Sequence, residues 1–105
     1  MNIIAITACP TGVAHTFMAK RALEDAAKKR GHEIKVETQG ATGIENELTP
    51  TDVKNADILI LAVEVGIAKS ERFKDIKKVE VKIGTVIKSA ESLIRKIEEK
   101  LENKE

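Results

Sequence analysis

The 105-residue chain sets 18 Lys and Arg against 17 Asp and Glu, and a formal net charge of +1 argues against a broad nucleic-acid-binding face. Its two aromatic residues, Phe17 and Phe73, are too few for base-stacking platforms, and its single cysteine, Cys9, cannot form an internal disulfide. At 42% hydrophobic the chain can bury one core of ordinary size, so one domain over residues 1–105 is expected.

Residues 3–7 form a continuously apolar, β-branched strand of the kind buried on both faces of a parallel sheet. The residues before Cys9 lack the charged start and long apolar stretch of a secretory signal. No apolar run approaches the ~20 residues that span a bilayer. A soluble, cytoplasmic protein follows, with any membrane role supplied through a partner.

Val13, Ala14, Phe17, Met18, Ala22, Leu23, Ala26 and Ala27 recur at three- and four-residue spacings and predict an amphipathic helix ended by Gly31. Residues 33–38 alternate polar and apolar, as a half-exposed strand at a sheet edge does. After a glycine-containing stretch over residues 39–48, Thr49 can cap a short helix, Pro50 fits its first turn and Asp52 can return the capping contact. Residues 57–63 give a second fully apolar strand. Residues 64–75 read as a loop with one helical turn, and residues 79–83 as a weaker fourth strand. From Thr85 onward an apolar stripe through Val86, Ile87, Ala90, Leu93, Ile94, Ile97 and Leu101 predicts a charged terminal helix.

Strands alternating with helices around apolar central strands define the expected fold class. It is α/β, a single-domain, Rossmann-like three-layer sandwich with a four-stranded parallel sheet in order 2-1-3-4. In that order the crossovers from the first and third strands go to opposite faces, and a crevice opens beyond their carboxyl ends. Cys9 would sit in it, with residues 39–43 and 64–73 as its rim.

Cys9 ends the first strand and opens the turn Cys9-Pro10-Thr11-Gly12-Val13-Ala14-His15-Thr16, which leads into the helix. A thiol at a helix mouth is driven toward the thiolate, the nucleophilic form. Gly12 permits the close backbone approach that lets amides converge on an anion, and Pro10 fixes one backbone angle. Taken alone, a lone cysteine also packs as an inert apolar residue. Disulfide exchange lacks a second thiol. Structural zinc lacks ligands, since Cys9, His15 and His32 fall short of the usual four, and no metal or other cofactor is expected. Acyl transfer with His15 as base lacks an orienting carboxylate. Phosphoryl chemistry fits the turn, because amides, a helix N-terminus and the hydroxyls of Thr11 and Thr16 stabilise phosphate on sulfur.

The turn, joined to Glu37-Thr38-Gln39-Gly40, Asn46, Leu48-Thr49, Ala56-Asp57 and Arg72-Phe73, resembles the IIB component of the fructose-specific phosphotransferase system over nearly the whole chain. The resemblance implies that residues 1–105 are a IIB domain and that Cys9 takes phosphate from a phosphohistidine on the IIA component. A fructose-like sugar bound by the membrane-embedded IIC component would then receive it, which places the chain at the inner face of the membrane. Residues 10–16 would cradle the phosphate. Glu37, Gln39, Gly40, Glu64 and Arg72 would form the rim.

Several of these residues admit plainer roles. Glu37 alternates with Lys35 as a solvated strand face would, Arg72 can be a surface cation, Phe73 a core anchor and His32 a surface residue. His15 either touches the phosphate or is a solvated first-turn residue. The alternative phosphate chemistry is a small cysteine phosphatase, which needs an arginine where this chain has His15 and an Asp-Pro pair it lacks. A non-catalytic regulatory module is a third reading, with no specific residue to support it.

Overall fold

The protein was analysed as a computed structural model that describes residues 2–8, 13–40, 43–63, 66–67 and 69–102. The apolar run at the start becomes strand β1 (Asn2–Ala8), and six of its seven residues are buried. It lies between two parallel neighbours, β2 (Glu33–Gly40) and β4 (Ile58–Val63). Burial on both faces explains why β1 and β4 are continuous apolar runs without alternation. A clasp fixes the register between them: the Asn2 amide donates to Asp57 Oδ2 at 2.8 Å, and the Asp57 amide returns a bond to the Asn2 carbonyl at 2.7 Å. Ile3 therefore stands opposite Ile58, and Ala8 opposite Val63.

The sheet has five strands in the order β3-β2-β1-β4-β5, with β3 (Gly43–Glu45) antiparallel to β2 and β5 (Lys78–Val81) parallel to β4. The four parallel strands keep the expected order 2-1-3-4, but the expectation of a four-stranded, wholly parallel sheet is corrected. A hairpin return covers the edge of β2 at its carboxyl end, pairing Thr38 with Glu45 and Gly40 with Gly43. Three residues with a positive-φ glycine at their start (Gly43, φ 102) carry too little periodicity to announce a strand. The fourth parallel strand also begins and ends earlier than the sequence suggested. Helix α3 (Ile83–Glu102) starts at Ile83 and departs from helical geometry at Ser89 (φ −141, ψ 39).

Helices α1 (Val13–Lys29) and α3 cover one face of the sheet, where Ile3, Ala5, Val36, Ile58 and Ile60 meet Ala19, Leu23, Val86, Ile94 and Ile97. The other face is thinner. Ile4, Ile6 and Leu59 pack there on Leu48 from the approach to α2, Val53 from α2 (Pro50–Asn55) and Phe73 from a 3-10 turn over Ser70–Phe73. Phe73 is thus the core anchor. Each layer buries one apolar face against the sheet, giving the three-layer arrangement.

Two local signals are realised in full. Thr49 Oγ1 accepts from the Asp52 amide at 3.1 Å while Asp52 Oδ2 accepts from the Thr49 amide at 2.8 Å, a reciprocal capping box before Pro50. Gly31, at φ 79, ends α1 in a Schellman arrangement: its amide donates to the Lys28 carbonyl and the His32 amide to the Ala27 carbonyl.

Two readings of α1 and its surroundings change. Phe17 and Met18 do not face the core; they are 40% and 51% exposed, and the buried stripe runs through Thr16, Ala19, Leu23, Ala26 and Ala27. His32 is not a surface residue. Its ring contacts Glu98 Oε2, which also receives Arg30 Nε at 2.8 Å while Arg30 Nη2 donates to Oε1 at 2.7 Å. Bonds from Arg30 and then His32 hold the Glu98 carboxyl at about 2, and the cluster ties the end of α1 to α3. No helix among the described residues is long and apolar enough to cross a membrane.

Candidate active site

Four side chains with polar or charged groups are buried among the described residues: Thr7, Thr16, Glu37 and Thr38. All lie at one end of the molecule. Thr7 is the penultimate residue of β1, Glu37 and Thr38 stand level with Ile6 and Thr7 on β2, and Thr16 is in the first turn of α1. Burying polar groups costs free energy unless each finds a partner, so they are concentrated where something other than core packing is served. Beyond Ala8, flanked by Gln39 and Val63, the next residue in the chain is Cys9.

Glu37 is the most constrained of the four. Its side chain is completely buried, yet its two oxygens accept from four donors: Arg72 Nη1 to Oε1 at 2.8 Å, Arg72 Nη2 to Oε2 at 3.1 Å, Gln39 Nε2 to Oε2 at 2.7 Å and the Leu48 amide to Oε1 at 2.8 Å. Burial alone would raise its carboxyl. The hydrogen bonds from Arg72, Gln39 and Leu48, with the charge of the guanidinium, outweigh that and hold it below the ordinary carboxylate range. Glu37 in turn raises the Arg72 guanidinium. Arg72 also donates to the carbonyls of Leu48 (3.1 Å) and Lys69 (2.8 Å), and its guanidinium carbon lies 4.6 Å from the Phe73 ring centroid. One buried carboxylate thereby locks three segments together: the end of β2, the approach to α2 and the turn before β5.

The sequence-based site residues divide accordingly. Glu37, Gln39 and Arg72 come together as one network, and Gly40 is the exposed last residue of β2. Glu37 is not on a solvated face, because strand alternation turns it, like Ile6 beside it, toward the α2 layer. Val13 and Ala14 begin α1, His15 is exposed on its first turn and Thr16 is buried. Cys9, Pro10, Thr11, Gly12 and Glu64 lie outside the described residues.

Three members of this region had no role assigned from sequence. Thr7 is hidden inside an apolar run. Asn46, which entered the sequence analysis only as part of the family resemblance, adopts φ 55 and donates from its side chain to the Val36 carbonyl at 2.9 Å, covering the edge of β2. Leu48 acts through its amide, which no side-chain pattern reveals. Among the described residues no group of three or more His, Cys, Asp or Glu side chains is placed to hold a metal ion.

A cleft of about 1180 Å³ opens at the opposite end of the sheet, lined in part by Arg30, His32, Asp57 and Glu98. Many of its charges are matched internally: Arg30 and His32 engage Glu98, Lys29 pairs with Glu91, and Asp57 accepts from Asn2.

A mostly parallel α/β sheet, a helix that follows its central strand and buried polar groups gathered at that strand's carboxyl end define the class of small open-sheet α/β proteins. Comparison gives the family. Residues 4–96 match the family described as "PTS system, Lactose/Cellobiose specific IIB subunit". The chain is 55% identical over 97 residues to "PTS system fructose-like EIIB component 2" of Escherichia coli strain K12, covering 92% of each. A solution structure of an Enzyme IIB subunit of the PTS system from Escherichia coli K12 superposes with a TM-score of 0.92 at 46% identity, over 97% of this chain and 94% of that one. A crystal structure of a domain from a fructose-specific IIABC component of Borrelia burgdorferi gives 0.85 at 46% identity, over 90% and 89%. The chain belongs to the IIB family of the sugar phosphotransferase system, as the resemblance in its sequence implied. IIB components are in general phosphotransferases that work with IIA and IIC partners.

Proposed function

We propose that the chain is a phosphoryl carrier in the uptake of a fructose-like sugar, accepting phosphate on Cys9 from a IIA phosphohistidine and passing it to sugar bound by a membrane IIC component. The observation that carries this reading is the gathering of Thr7, Thr16, Glu37 and Thr38 at the strand end from which Cys9 follows. Curated relatives named as fructose-like IIB components support the sugar class.

In the first half-reaction the Cys9 thiolate attacks phosphorus in line. The P–S bond forms as the P–N bond breaks, and the electron pair leaves with the imidazole nitrogen. In the second, a sugar hydroxyl oxygen attacks phosphorus, loses its proton, and sulfur departs as thiolate. Neither step needs a cofactor. Loose phosphoryl transition states call for positioning and charge stabilisation, for which the positive end of the 17-residue α1 and the amides of residues 11–16 are suited. The Glu37–Arg72 lock serves this by holding the rim rigid, since most of the Arg72 N–H groups are directed inward. The working location is the cytoplasmic face of the membrane, reached through IIC.

Label transfer tests the proposal. Phosphorylated fructose-type IIA should label the wild-type chain but not Cys9→Ser, and the folded variant should keep its thermal midpoint. Steady release of inorganic phosphate from an aryl phosphate by the isolated chain would instead make it a hydrolase.

A further inference from the structure

The Thr7 side chain is fully buried, and its hydroxyl oxygen finds no hydrogen-bond partner among the described residues. Its surroundings make this unusual. Thr7 shares a sheet face with Ile3 and Ala5, which pack against α1 and α3, and its register partners are Thr38 and Ala62. A valine of the same shape would fill that space without burying an unpaired polar group, so the fold alone gives no reason for a hydroxyl there. Glu37, on the opposite face of the same sheet end, has four donors on its two oxygens. The unpaired group is two residues from Cys9, at the end of the sheet where α1 begins.

We propose that Thr7 is a further phosphate-binding residue, whose O–H donates to an oxygen of the phosphoryl group carried on Cys9. The inference rests on the carrier reading above. Thr7 makes and breaks no covalent bond and transfers no proton. Its hydrogen bond to a charged oxygen is of the strong, charge-assisted kind, and it forms only when phosphate is present, so it favours the phosphorylated state over the free thiolate. The same hydroxyl, unpaired in the free protein, weakens the unphosphorylated fold.

Thr7→Val and Thr7→Ser in the full chain separate these effects. Two quantities are read: the thermal midpoint of the unphosphorylated chain, and the equilibrium fraction phosphorylated on Cys9 with phosphoenolpyruvate and the upstream phosphotransferase proteins. Thr7→Val should unfold at or above the wild-type midpoint while its phosphorylation equilibrium falls roughly tenfold, the size of one hydrogen bond to a charged group. Thr7→Ser, which keeps the donor, should restore the equilibrium. A Thr7→Val chain phosphorylated to the wild-type extent would overturn the inference while leaving the carrier reading intact. So would a marked loss of stability or failure to fold in Thr7→Val, since that would mean the hydroxyl is already bonded. Absence of phosphate on wild-type Cys9 would remove the carrier reading first, and this inference with it.

Discussion

Arg72 grips Glu37 with two N–H groups, one to each carboxylate oxygen, at 2.8 and 3.1 Å, and the carboxylate is sealed from solvent. The pair spans 35 residues of sequence and ties the Ser70–Phe73 turn to the strand beside β1. Together with the buried Phe73 ring beside it, the pair fixes the Ser70–Phe73 turn against the sheet.

Breaking that pair from one side should be costly. Arg72→Met leaves a buried carboxylate without its main compensation and is expected to lower stability by about 3 kcal/mol, read as a fall in urea midpoint. With the guanidinium gone, burial dominates and the Glu37 carboxyl rises above its unfolded value, so the folded variant takes up the proton first and its deficit shrinks as pH is lowered through the mildly acidic range, where the wild type, its carboxyl held low, loses stability. Adding Glu37→Gln should recover part of the loss. A double mutant as unstable as the sum of the single changes would show that the two residues do not act together.

The capping box makes a smaller, local prediction. Thr49→Ala removes the acceptor for the Asp52 amide and should cost about 1 kcal/mol. Asp52 is held at about 2 by Lys35 first and then by the Thr49 amide, so Asp52→Asn should cost a similar amount at neutral pH and progressively less as the wild-type carboxyl is protonated. Thermal melts of the variants across pH check both.

Acid stability should depend on Glu98. Its carboxyl sits at about 2 in the fold against an ordinary 4.5, so the unfolded chain takes up the proton first. The stabilisation is complete above pH ~4.5 and fades as pH falls toward 2. In Glu98→Gln the thermal midpoint should be lower at neutral pH and vary less over that acidic window than in the wild type. Parallel melting curves for the two proteins would contradict the assignment.

How far the chain could be read depended on the kind of signal each element leaves. β1 and β4 are uninterrupted apolar runs, the α2 cap is written in Thr49, Pro50 and Asp52, and Gly31 ends α1 because it can take a positive φ. Those signals are local and survive folding. β3 was illegible because Gly43, Ile44 and Glu45 pair only through the hairpin that brings them back to Thr38 and Gly40. Glu37 looked solvated because alternation with Lys35 states which face a residue takes, but not what covers that face; Arg72, far along the chain, decides it. Phe17 and Met18 fit a helical stripe by spacing, yet the stripe that packs is offset from them toward Thr16 and Ala19. The turn around Cys9 offers a candidate nucleophile from sequence alone, and Cys9 itself lies outside the described residues, whereas Thr7 was masked by its β-branched shape, which suits a strand whether or not its hydroxyl is used.

The most direct measurement locates the phosphate. After incubation with phosphoenolpyruvate and the upstream phosphotransferase proteins, fragmentation mass spectrometry of the wild-type chain should find one phosphoryl group, on the sulfur of Cys9, and none in Cys9→Ser. Phosphate on the His15 ring, or its persistence in Cys9→Ser, would contradict the assignment of this sulfur as the carrier.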